Sequence, residues 1–324
     1  MSREICVYLG FLSEEHRRKI SETAEPLGFH TSFFDVGEIE QVTAFVPNCE
    51  ILFSASHRAL RAASTDLKWY ACGFAGVTPY CADPTFFANP DCILTNSNVY
   101  GDTISEHILM VLLMLLRRMP DYQRIVARNE WISGLPIRSI RGSSVVIVGT
   151  GNIGSSTAKR LKALGAASVT GVNRSGRCDH PAFDRVLPAS RLEEILPDAH
   201  ILILCVPSTP ESDGLLSRER LDLLPEDALL VNVGRGAAID QNALAEALQA
   251  HRIAGAALDV FRQEPIPPED PLRSLPNLII TPHCAGDTGL PFTQDAIVKL
   301  FCDNLRRYAA GLPLRGVVDR RRGY

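Results

Sequence analysis

The chain has 324 residues, with 46% hydrophobic and 22% charged side chains and a formal net charge of −4. This length predicts about two domains, and the balance of apolar and charged residues is typical of a folded globular protein rather than a disordered one. A slightly acidic chain excludes a strongly basic nucleic-acid binder and offers no electrostatic attraction to anionic membranes.

Short apolar runs alternate with longer amphipathic segments along the chain. The predicted strands are Ile5–Leu9, Ile51–Phe53, Leu67–Ala71, Val145–Val148, Val169–Val172, Ile201–Val206, Leu229–Val233, Ala256–Val260 and Leu278–Thr281. The predicted helices include Glu14–Leu27, Ile153–Leu164, Arg191–Leu196 and Asn242–Ala250. Strands that alternate with helices form βαβ units, and continuous apolar strands indicate a parallel sheet covered on both faces. The fold class is therefore predicted to be α/β.

The two parts of the chain differ in regularity. Residues 144–281 alternate regularly enough for a complete doubly wound domain, whereas residues 1–97 form a second, looser α/β set. A long apolar helix is predicted over Thr103–Arg118, ended by Met119-Pro120, and a last helix over Phe292–Tyr308. The long helix is too hydrophobic to face solvent, so we expect a homodimer that covers it. Its His107 is interpreted as an interior or interface histidine.

The cysteines bear on the cellular compartment. There are nine of them, an odd number, and no C-x-x-C pair occurs. This pattern predicts reduced thiols in a cytoplasmic protein, with neither a disulfide framework nor a bound metal. The longest uninterrupted apolar run, Ile108–Leu116, reaches only about half of the ~20 residues that span a bilayer. We therefore expect neither a membrane nor a nucleic acid as a partner.

One predicted strand, Val145–Val148, runs directly into a glycine-rich turn, and a helical pattern follows at once. In this context Gly149 permits a tight turn, Gly151 lets the backbone approach a pyrophosphate, and Gly154 lets the helix pack on the strand. The N–H groups and the dipole at the helix N-terminus then favour phosphate. The alternative is a strained strand–helix turn without a ligand. The predicted dinucleotide contacts are Gly149, Gly151, Asn152, Ile153 and Gly154.

The next predicted strand ends beside Asn173, where an NAD-selective site usually has Asp or Glu to bind the ribose 2′-hydroxyl. Asn carries no negative charge, and the following Arg174, Ser175 and Arg177 offer hydrogen-bond donors to a 2′-phosphate. NADP is therefore favoured over NAD as the cofactor, with Asn173, Arg174 and Ser175 as contacts. The alternative is that the arginines only decorate a surface loop.

Three further segments combine predicted strand ends with residues suited to catalysis: Val231–Gly236, Ala257–Pro265 and Thr281–Gly286. Together with the glycine-rich turn, these motifs resemble the D-isomer-specific 2-hydroxyacid dehydrogenase family, and the resemblance covers nearly the whole chain. It implies a domain layout that is discontinuous in sequence. Residues 1–97 and 292–324 would form a smaller, flavodoxin-like α/β substrate-binding domain, and residues 98–291 a Rossmann NAD(P)-binding domain.

The resemblance places the family's active-site arginine, acid and histidine on Arg235, Glu264 and His283. A guanidinium can bind the carboxylate of a 2-oxo acid and polarise its ketone oxygen. An imidazole can exchange a proton with that oxygen near neutral pH, and a neighbouring carboxylate would orient the ring. Each residue also has a simpler interpretation: a turn arginine in a surface ion pair, a glutamate that starts a turn, and a histidine that caps a loop. Only the joint pattern favours catalysis.

The resemblance implies further cofactor contacts. It assigns Asp259 to the nicotinamide carboxamide, although a buried structural acid is the alternative. The other residues that it places beside the cofactor are Val206, Pro207, Val233, His283, Ala285 and Gly286.

In the first part of the chain, Gly73–Val77 resembles the family's substrate loop, whose backbone N–H groups bind a carboxylate. The matched positions are Ala75 and Gly76, which would bind substrate together with Arg235 and His283. Many members of the family continue this loop with Asp, whereas this chain has Thr78. The preceding Phe74 would either restrict the size of the substrate or simply pack.

The resulting interpretation is an NADP-preferring reductase that converts small 2-oxo acids, by default glyoxylate or hydroxypyruvate, to D-2-hydroxy acids. A phosphoglycerate-type dehydrogenase is one alternative and would need extra cations, for which Arg58, Arg61 and Lys68 are candidates. Formate or phosphite dehydrogenation is another. The third is a non-catalytic NAD(P)-sensing corepressor on the same scaffold, which could retain all three active-site residues.

Overall fold

The computed structural model describes residues 3–323 of the chain. They divide into two compact units, one made of residues 3–100 and 287–323 and the other of residues 101–286. These junctions lie a few residues from those that the resemblance implies, at 97/98 and 291/292. The nine cysteines are all free thiols. Over the described residues, no helix is both long enough and apolar enough to cross a membrane.

The described residues form strands and helices in alternation. The strands are β1 (Arg3–Tyr8), β2 (Phe29–Phe34), β3 (Ile51–Ser54), β4 (Trp69–Cys72), β5 (Ile93–Thr95), β6 (Ser144–Val148), β7 (Ser168–Asn173), β8 (Arg185–Pro188), β9 (Ile201–Leu204), β10 (Leu229–Asn232), β11 (Gly255–Leu258) and β12 (Leu278–Ile280). The α-helices are α1 (Glu14–Ala24), α2 (Ile39–Phe45), α3 (His57–Arg61), α4 (Thr78–Ala82), α5 (Gly101–Leu116), α6 (Met119–Ala127), α7 (Asn152–Ala163), α8 (Leu192–Ile195), α9 (Arg218–Leu221), α10 (Gln241–Gln249) and α11 (Pro291–Ala309).

The first unit contains a parallel five-stranded sheet in the order β2-β1-β3-β4-β5, which is the flavodoxin-like order. Helix α11 returns to this sheet after the second unit. Its Phe301 stacks on Phe53, with ring centroids 4.0 Å apart, and on Trp69 at 5.3 Å. Since these rings are fully buried, the C-terminal helix is part of the core of this unit.

A hydrogen bond from Tyr308 of α11 to an ion pair of the first sheet also joins this helix to the sheet. Arg3 Nη2 donates to Oε1 of Glu50 at 2.8 Å, and the hydroxyl of Tyr308 donates to the same oxygen at 2.9 Å. The guanidinium of Arg3 lies 3.9 Å above the ring of Phe29. The hydrogen bond from Arg3 lowers the pKa of the Glu50 carboxyl below its ordinary value, so the pair stabilises the fold in its charged form.

The second unit contains a parallel seven-stranded sheet in the order β12-β11-β10-β9-β6-β7-β8. The order reverses between β6 and β9, as in doubly wound dinucleotide-binding sheets. The predicted α/β class, with a Rossmann sheet and a smaller flavodoxin-like sheet, is confirmed.

One predicted helix boundary is wrong. The long apolar helix is expected to extend to Arg118 and to be ended by Met119-Pro120, but α5 ends at Leu116. Arg118 adopts a left-handed conformation with φ of 58°, and Met119 begins α6. The proline does not end a helix here; it occupies the first turn of the next one, where its missing N–H needs no partner.

Candidate functional site

The carboxyl ends of the seven parallel strands of the second unit share one edge of its sheet. Six of the predicted site residues lie where these strands end: Gly149 after β6, Asn173 at the end of β7, Val206 after β9, Val233 after β10, Asp259 after β11 and His283 after β12. Backbone hydrogen bonds join neighbouring ends, including Cys205 N to Val148 O at 2.8 Å and Asp259 N to Asn232 O at 3.0 Å. Ligands of doubly wound sheets bind at this edge, near the reversal of strand order.

The glycine-rich turn has no room for side chains at two of its three glycines. A Cβ on Gly149, whose φ is +104°, would lie 2.6 Å from the carbonyl oxygen of Cys205. A Cβ on Gly154 would lie 1.9 Å from the carbonyl oxygen of Gly149. Gly151 faces open space and is the N-cap of α7, and no side chain caps that helix among the described residues. The uncapped N–H groups and the open approach fit a pyrophosphate.

Two predicted contacts of this turn are also structural. The side-chain oxygen of Asn152 accepts a hydrogen bond from Gly101 N at 2.6 Å, which joins the start of α7 to the start of α5. Any contact of Asn152 with a cofactor would therefore come from its backbone or from Nδ2, since Oδ1 is already used within the unit. Ile153, in the first turn of α7, is half-buried.

The side chain of Asn173 shapes the loop that follows β7. Its Oδ1 accepts from Gly176 N at 2.7 Å and from the Ser175 hydroxyl at 3.2 Å. Its Nδ2 donates to Thr150 Oγ1 at 2.7 Å and to Arg177 O at 2.8 Å. These four hydrogen bonds use the whole capacity of the amide in a typical geometry, so Asn173 holds the loop to the glycine-rich turn. The loop leaves Arg174 and Arg177 exposed.

The segments that follow β9 and β10 pack closely against each other. Val233 is buried, and its N–H donates to Leu204 O at 3.2 Å. A Cβ on Gly234 would lie 2.7 Å from the carbonyl oxygen of Val206. Pro207, which follows, is exposed. These predicted cofactor contacts therefore lie side by side at the sheet edge.

The turn that carries Arg235 is held by Asn232, which is fully buried at the end of β10. Asn232 Oδ1 accepts from Gly234 N at 3.0 Å, and its Nδ2 donates to Arg235 O at 2.9 Å. A Cβ on Gly236 would lie 1.9 Å from the carbonyl carbon of Phe261, so this turn touches the segment that leads to Glu264. The only sequence signal for Asn232 is a polar residue that ends an apolar run.

The structure places His283 against Glu264, and the charge of Glu264 acts on Arg235. Nδ1 of His283 lies 2.6 Å from Oε2 of Glu264, and Oε1 of Glu264 accepts from Phe261 N at 2.8 Å. Burial lowers the pKa of the Arg235 guanidinium, while the negative charge of Glu264 opposes that shift. The other ring nitrogen of His283, Nε2, has no hydrogen-bond partner within residues 3–323, and the side chain is 53% exposed. That nitrogen is therefore accessible for proton transfer.

A family model described as the NAD binding domain of D-isomer specific 2-hydroxyacid dehydrogenase matches residues 109–285, which is more than half of the chain. The chain belongs to the D-isomer specific 2-hydroxyacid dehydrogenase family. The family resemblance is thus confirmed, and the protein is an NAD(P)-dependent oxidoreductase.

The relatives of this chain differ in the substrates that their names give. This chain is 31% identical over 233 residues to glyoxylate/hydroxypyruvate reductase HPR3 of Arabidopsis thaliana, covering 70% of this chain and 69% of that one. It is 30% identical over 235 residues to D-3-phosphoglycerate dehydrogenase of Archaeoglobus fulgidus, covering 68% of this chain but only 41% of that longer enzyme.

Two solved structures match almost the full length of the dehydrogenase. A family protein from Aeromonas salmonicida superposes with a TM-score of 0.84 at 31% identity, covering 99% of this chain and 100% of that one. An NADPH-dependent glyoxylate/hydroxypyruvate reductase from Sinorhizobium meliloti, in complex with NADP and sulfate, superposes with a TM-score of 0.81 at 26% identity and the same coverage.

In the dehydrogenase, Asp259 organises the loop after β12. Its carboxylate is 3% exposed and accepts three hydrogen bonds: Oδ1 from the Thr281 hydroxyl at 2.6 Å and from Cys284 N at 2.9 Å, and Oδ2 from Ala285 N at 3.0 Å. Ala285 is buried and Gly286 is half-buried. A carboxylate has about four acceptor positions, so Oδ2 keeps capacity for one further donor. Asp259 is thus a buried structural acid that could still bind a carboxamide.

The predicted substrate loop of the dehydrogenase, Gly73–Val77, follows β4 in the first unit. Its carbonyls accept hydrogen bonds from outside the loop: Gly73 from the Tyr100 hydroxyl at 2.9 Å, Phe74 from Ser97 N at 3.1 Å and Ala75 from Asn96 Nδ2 at 3.0 Å. The backbone N–H groups of Ala75 and Gly76 have no acceptor in the part of the chain that the structure describes. The ring of Phe74 is 45% exposed, which weighs against packing as its role.

The cations that a phosphoglycerate site would need are largely neutralised by neighbouring acids. Arg58 donates to both oxygens of Glu40 at 2.6 Å, and Arg61 donates to Asp83 at 2.7 Å. Lys68 is exposed and acts electrostatically on Glu50. This arrangement weighs against phosphoglycerate as the substrate.

Proposed function

We propose that this chain is a cytoplasmic reductase that uses NADPH to convert small 2-oxo acids, glyoxylate or hydroxypyruvate first among them, to D-2-hydroxy acids. The observation that carries the proposal is the 2.6 Å contact between His283 and Glu264 at the carboxyl edge of a Rossmann sheet, with Arg235 within electrostatic reach of Glu264. The names of the Arabidopsis and Sinorhizobium relatives support the substrate class. Nine free thiols suit a reducing compartment.

The proposed catalytic residues have distinct roles. Arg235 binds the substrate carboxylate and draws electron density from the ketone oxygen, and its partial burial strengthens both interactions. His283 donates a proton from Nε2 to that oxygen. Glu264 accepts from Nδ1 and so fixes the orientation of the ring. The cofactor, when bound, supplies the hydride that C2 of the substrate receives.

We assign the cofactor to the unit of residues 101–286. The uncapped start of α7 would bind the pyrophosphate through backbone N–H groups. The loop after β7 would bind a 2′-phosphate through Arg174, Ser175 and Arg177, whereas the side chain of Asn173, predicted as a contact, holds the loop instead. The remaining proposed contacts are Val206, Pro207, Val233, Asp259, Ala285 and Gly286.

We assign the first unit, with residues 3–100 and 287–323, to substrate binding. Its loop Gly73–Val77 offers the N–H groups of Ala75 and Gly76 to a carboxylate. Because both contacts are backbone donors, Thr78 in place of the family's Asp leaves them intact.

The substrate proposal is tested by following NADPH oxidation with glyoxylate, hydroxypyruvate, pyruvate and phenylpyruvate, and by assaying 3-phosphoglycerate oxidation in parallel. We expect the highest kcat/KM with glyoxylate or hydroxypyruvate. The absence of turnover with every 2-oxo acid would overturn the proposal in favour of an NAD(P)-sensing protein. Turnover of 3-phosphoglycerate alone would overturn it in favour of a phosphoglycerate-type dehydrogenase.

The preference for NADPH has its own test. Replacing Arg174 and Arg177 together with Ala should raise the KM for NADPH about tenfold or more, because each charge-assisted hydrogen bond to phosphate contributes roughly 1.5–3 kcal/mol. The KM for NADH should stay unchanged. Arg141→Ala, an exposed arginine that precedes β6 at the opposite edge of the sheet, is the matched control. A wild-type preference for NADH would contradict the proposal.

We also propose a homodimer formed through the second unit. Exposed apolar side chains cluster on α5, on α6 and on the segment that follows: Met110, Leu113, Met119, Val126, Trp131, Ile132 and Ile137. Several of them border a cavity of about 560 Å³. Such a surface is unfavourable in water and is typical of an interface. Light scattering at micromolar concentration should give a dimer for the wild type and for Leu312→Arg, but a monomer for Leu113→Arg. A monomeric wild type would contradict the proposal.

A further inference from the structure

His107 lies behind the loop that carries His283. It belongs to α5, and only 11% of its side chain is exposed. Its Nε2 is 3.3 Å from Oγ1 of Thr281 and 4.0 Å from Oδ1 of Asp259. Sequence alone indicates an interior or interface histidine, but the hydrogen-bond partner of this ring lies only two residues before the proposed proton donor.

The protons in this cluster can be assigned from its donors and acceptors. The hydroxyl of Thr281 has a single proton, which it donates to Asp259 Oδ1 at 2.6 Å. Oγ1 of Thr281 can therefore only accept from His107, so the proton of that ring is on Nε2. Burial lowers the pKa of His107, with the charge of Asp259 opposing, and this favours the neutral ring. His107 is thus a neutral Nε2–H donor.

The hydrogen bonds that start at His107 lead to His283, whose backbone has an unfavourable conformation. His283 has φ of 54°, a left-handed conformation that non-glycine residues seldom adopt. Its N–H bonds to Asp259 O at 2.9 Å and to Thr281 O at 3.0 Å. The next two amides, those of Cys284 and Ala285, donate to the carboxylate of Asp259. The conformation of His283 therefore depends on the position of Asp259 and Thr281.

We propose that His107 is a positioning residue for the proposed catalytic histidine. By donating to Thr281 it fixes the contact between Thr281 and Asp259, and that contact holds His283 in the left-handed conformation from which its ring reaches Glu264. This inference rests on the proposed function for its kinetic consequence, and on geometry alone for the hydrogen-bond chain.

The kinetic test uses two amide replacements of different reach. Gln at position 107 places its amide nitrogen near the site of Nε2, whereas Asn reaches only the site of Nδ1. We expect His107→Asn to lower kcat about ten- to hundredfold, since a displacement of the proton donor by about 1 Å has an effect of that size. His107→Gln should restore most of the loss, with little change in KM for either variant.

A double-mutant cycle tests the path of the effect. Thr281→Val keeps the shape of the side chain and removes the hydroxyl, so it should lower kcat by as much as His107→Asn. The double variant should be no worse than either single one, because both break the same chain. His16→Asn is the control, since His16 is another buried histidine that contacts a carboxylate, Asp295, at 2.9 Å. It should lower Tm and leave kcat unchanged.

A measurement independent of turnover completes the test. Two-bond ¹H–¹⁵N NMR of the histidine rings should show a neutral Nε2–H tautomer at pH 7, assigned to His107 by its loss in His107→Asn. The other tautomer, an unchanged kcat in His107→Asn, or a His107→Gln variant as impaired as His107→Asn would each overturn the inference. If the wild type reduces no 2-oxo acid, the proposed function fails. In that case two measurements still decide this inference: the tautomer of His107, and the losses of Tm in His107→Asn and Thr281→Val, which should not add in the double variant.

Discussion

Two loops at the same edge of the second sheet keep their conformations for different reasons. The glycine-rich turn after β6 requires residues without side chains, since Cβ groups on Gly149 or Gly154 would collide with backbone oxygens. The loop after β12 depends on polar side chains of neighbouring segments, because Asp259 accepts from the amides of Cys284 and Ala285 and Glu264 contacts the ring of His283. The first loop should therefore fail when a methyl group is added, and the second when a polar atom is removed.

The largest effect is expected from removing the ring of His283. His283→Asn tolerates the left-handed backbone and loses the proton donor, so kcat should fall about 10²–10⁴-fold with Tm nearly unchanged. Cys284→Ala, at the next position, is the control and should keep its turnover. A loss of less than tenfold in His283→Asn would contradict the role of this residue.

The next effect concerns the glycine-rich turn. In Gly154→Ala the new Cβ meets the Gly149 carbonyl oxygen at 1.9 Å, so the turn must shift, and the free energy of unfolding should fall by about 1–3 kcal/mol. Gly151→Ala meets no atom within 4 Å and should unfold like the wild type, while its methyl group weakens NADPH binding. Thermal unfolding without cofactor and a fluorescence titration with NADPH separate the two effects. Equal stability of the two variants would contradict the steric argument.

A smaller loss is expected when Glu264 becomes Gln. The amide keeps the size of the side chain but not its charge, so the imidazolium loses its anionic partner at Nδ1 and kcat should fall roughly tenfold. Steady-state reduction of glyoxylate at pH 7 measures this loss. Glu269→Gln, an exposed acid on the following segment, should behave like the wild type. Equal kcat for both variants would show that the Glu264–His283 contact has no part in turnover.

The smallest effect is expected in the first unit. There, as in the loop after β12, side chains far apart in sequence meet at one carboxylate, that of Glu50, which accepts from Arg3 and Tyr308. Because the folded-state pKa of Glu50 is lowered, its stabilisation is present above the unfolded-state pKa near 4.5 and is lost as pH falls through the folded value. Glu50→Gln should reduce stability at pH 7 by about 1 kcal/mol, because the amide oxygen still accepts a hydrogen bond, and should weaken the decline of stability in acid. Urea unfolding between pH 7 and 3 measures both, with the exposed Glu22→Gln as the control. An unchanged acid dependence would contradict this assignment.

Most of the strands that the sequence predicted correctly are buried, and the edge strand β12 was predicted because its three half-buried residues are all apolar. Continuous apolar runs mark β6, β9 and β10 because both faces of these strands are covered. Three strands were missed. β2 and β8 are edge strands with half-exposed or polar residues, and β5 has only three residues, so none of them forms a long apolar run.

For the site, the amino-acid sequence by itself determined the glycine-rich turn, because the clash between a Cβ on Gly154 and the carbonyl oxygen of Gly149 arises within six consecutive residues. The close approach of Gly149 to Cys205 depends on the packing of β6 against β9. The sequence also determined the family, and through the family the identities of Arg235, Glu264 and His283. Only the tertiary structure decided which polar atoms meet. Glu264 and His283 are 19 positions apart, and His107 and Thr281 are 174 apart. A hydrogen bond needs its two atoms within about 3 Å, and across such separations only the packing of strands and helices sets that distance.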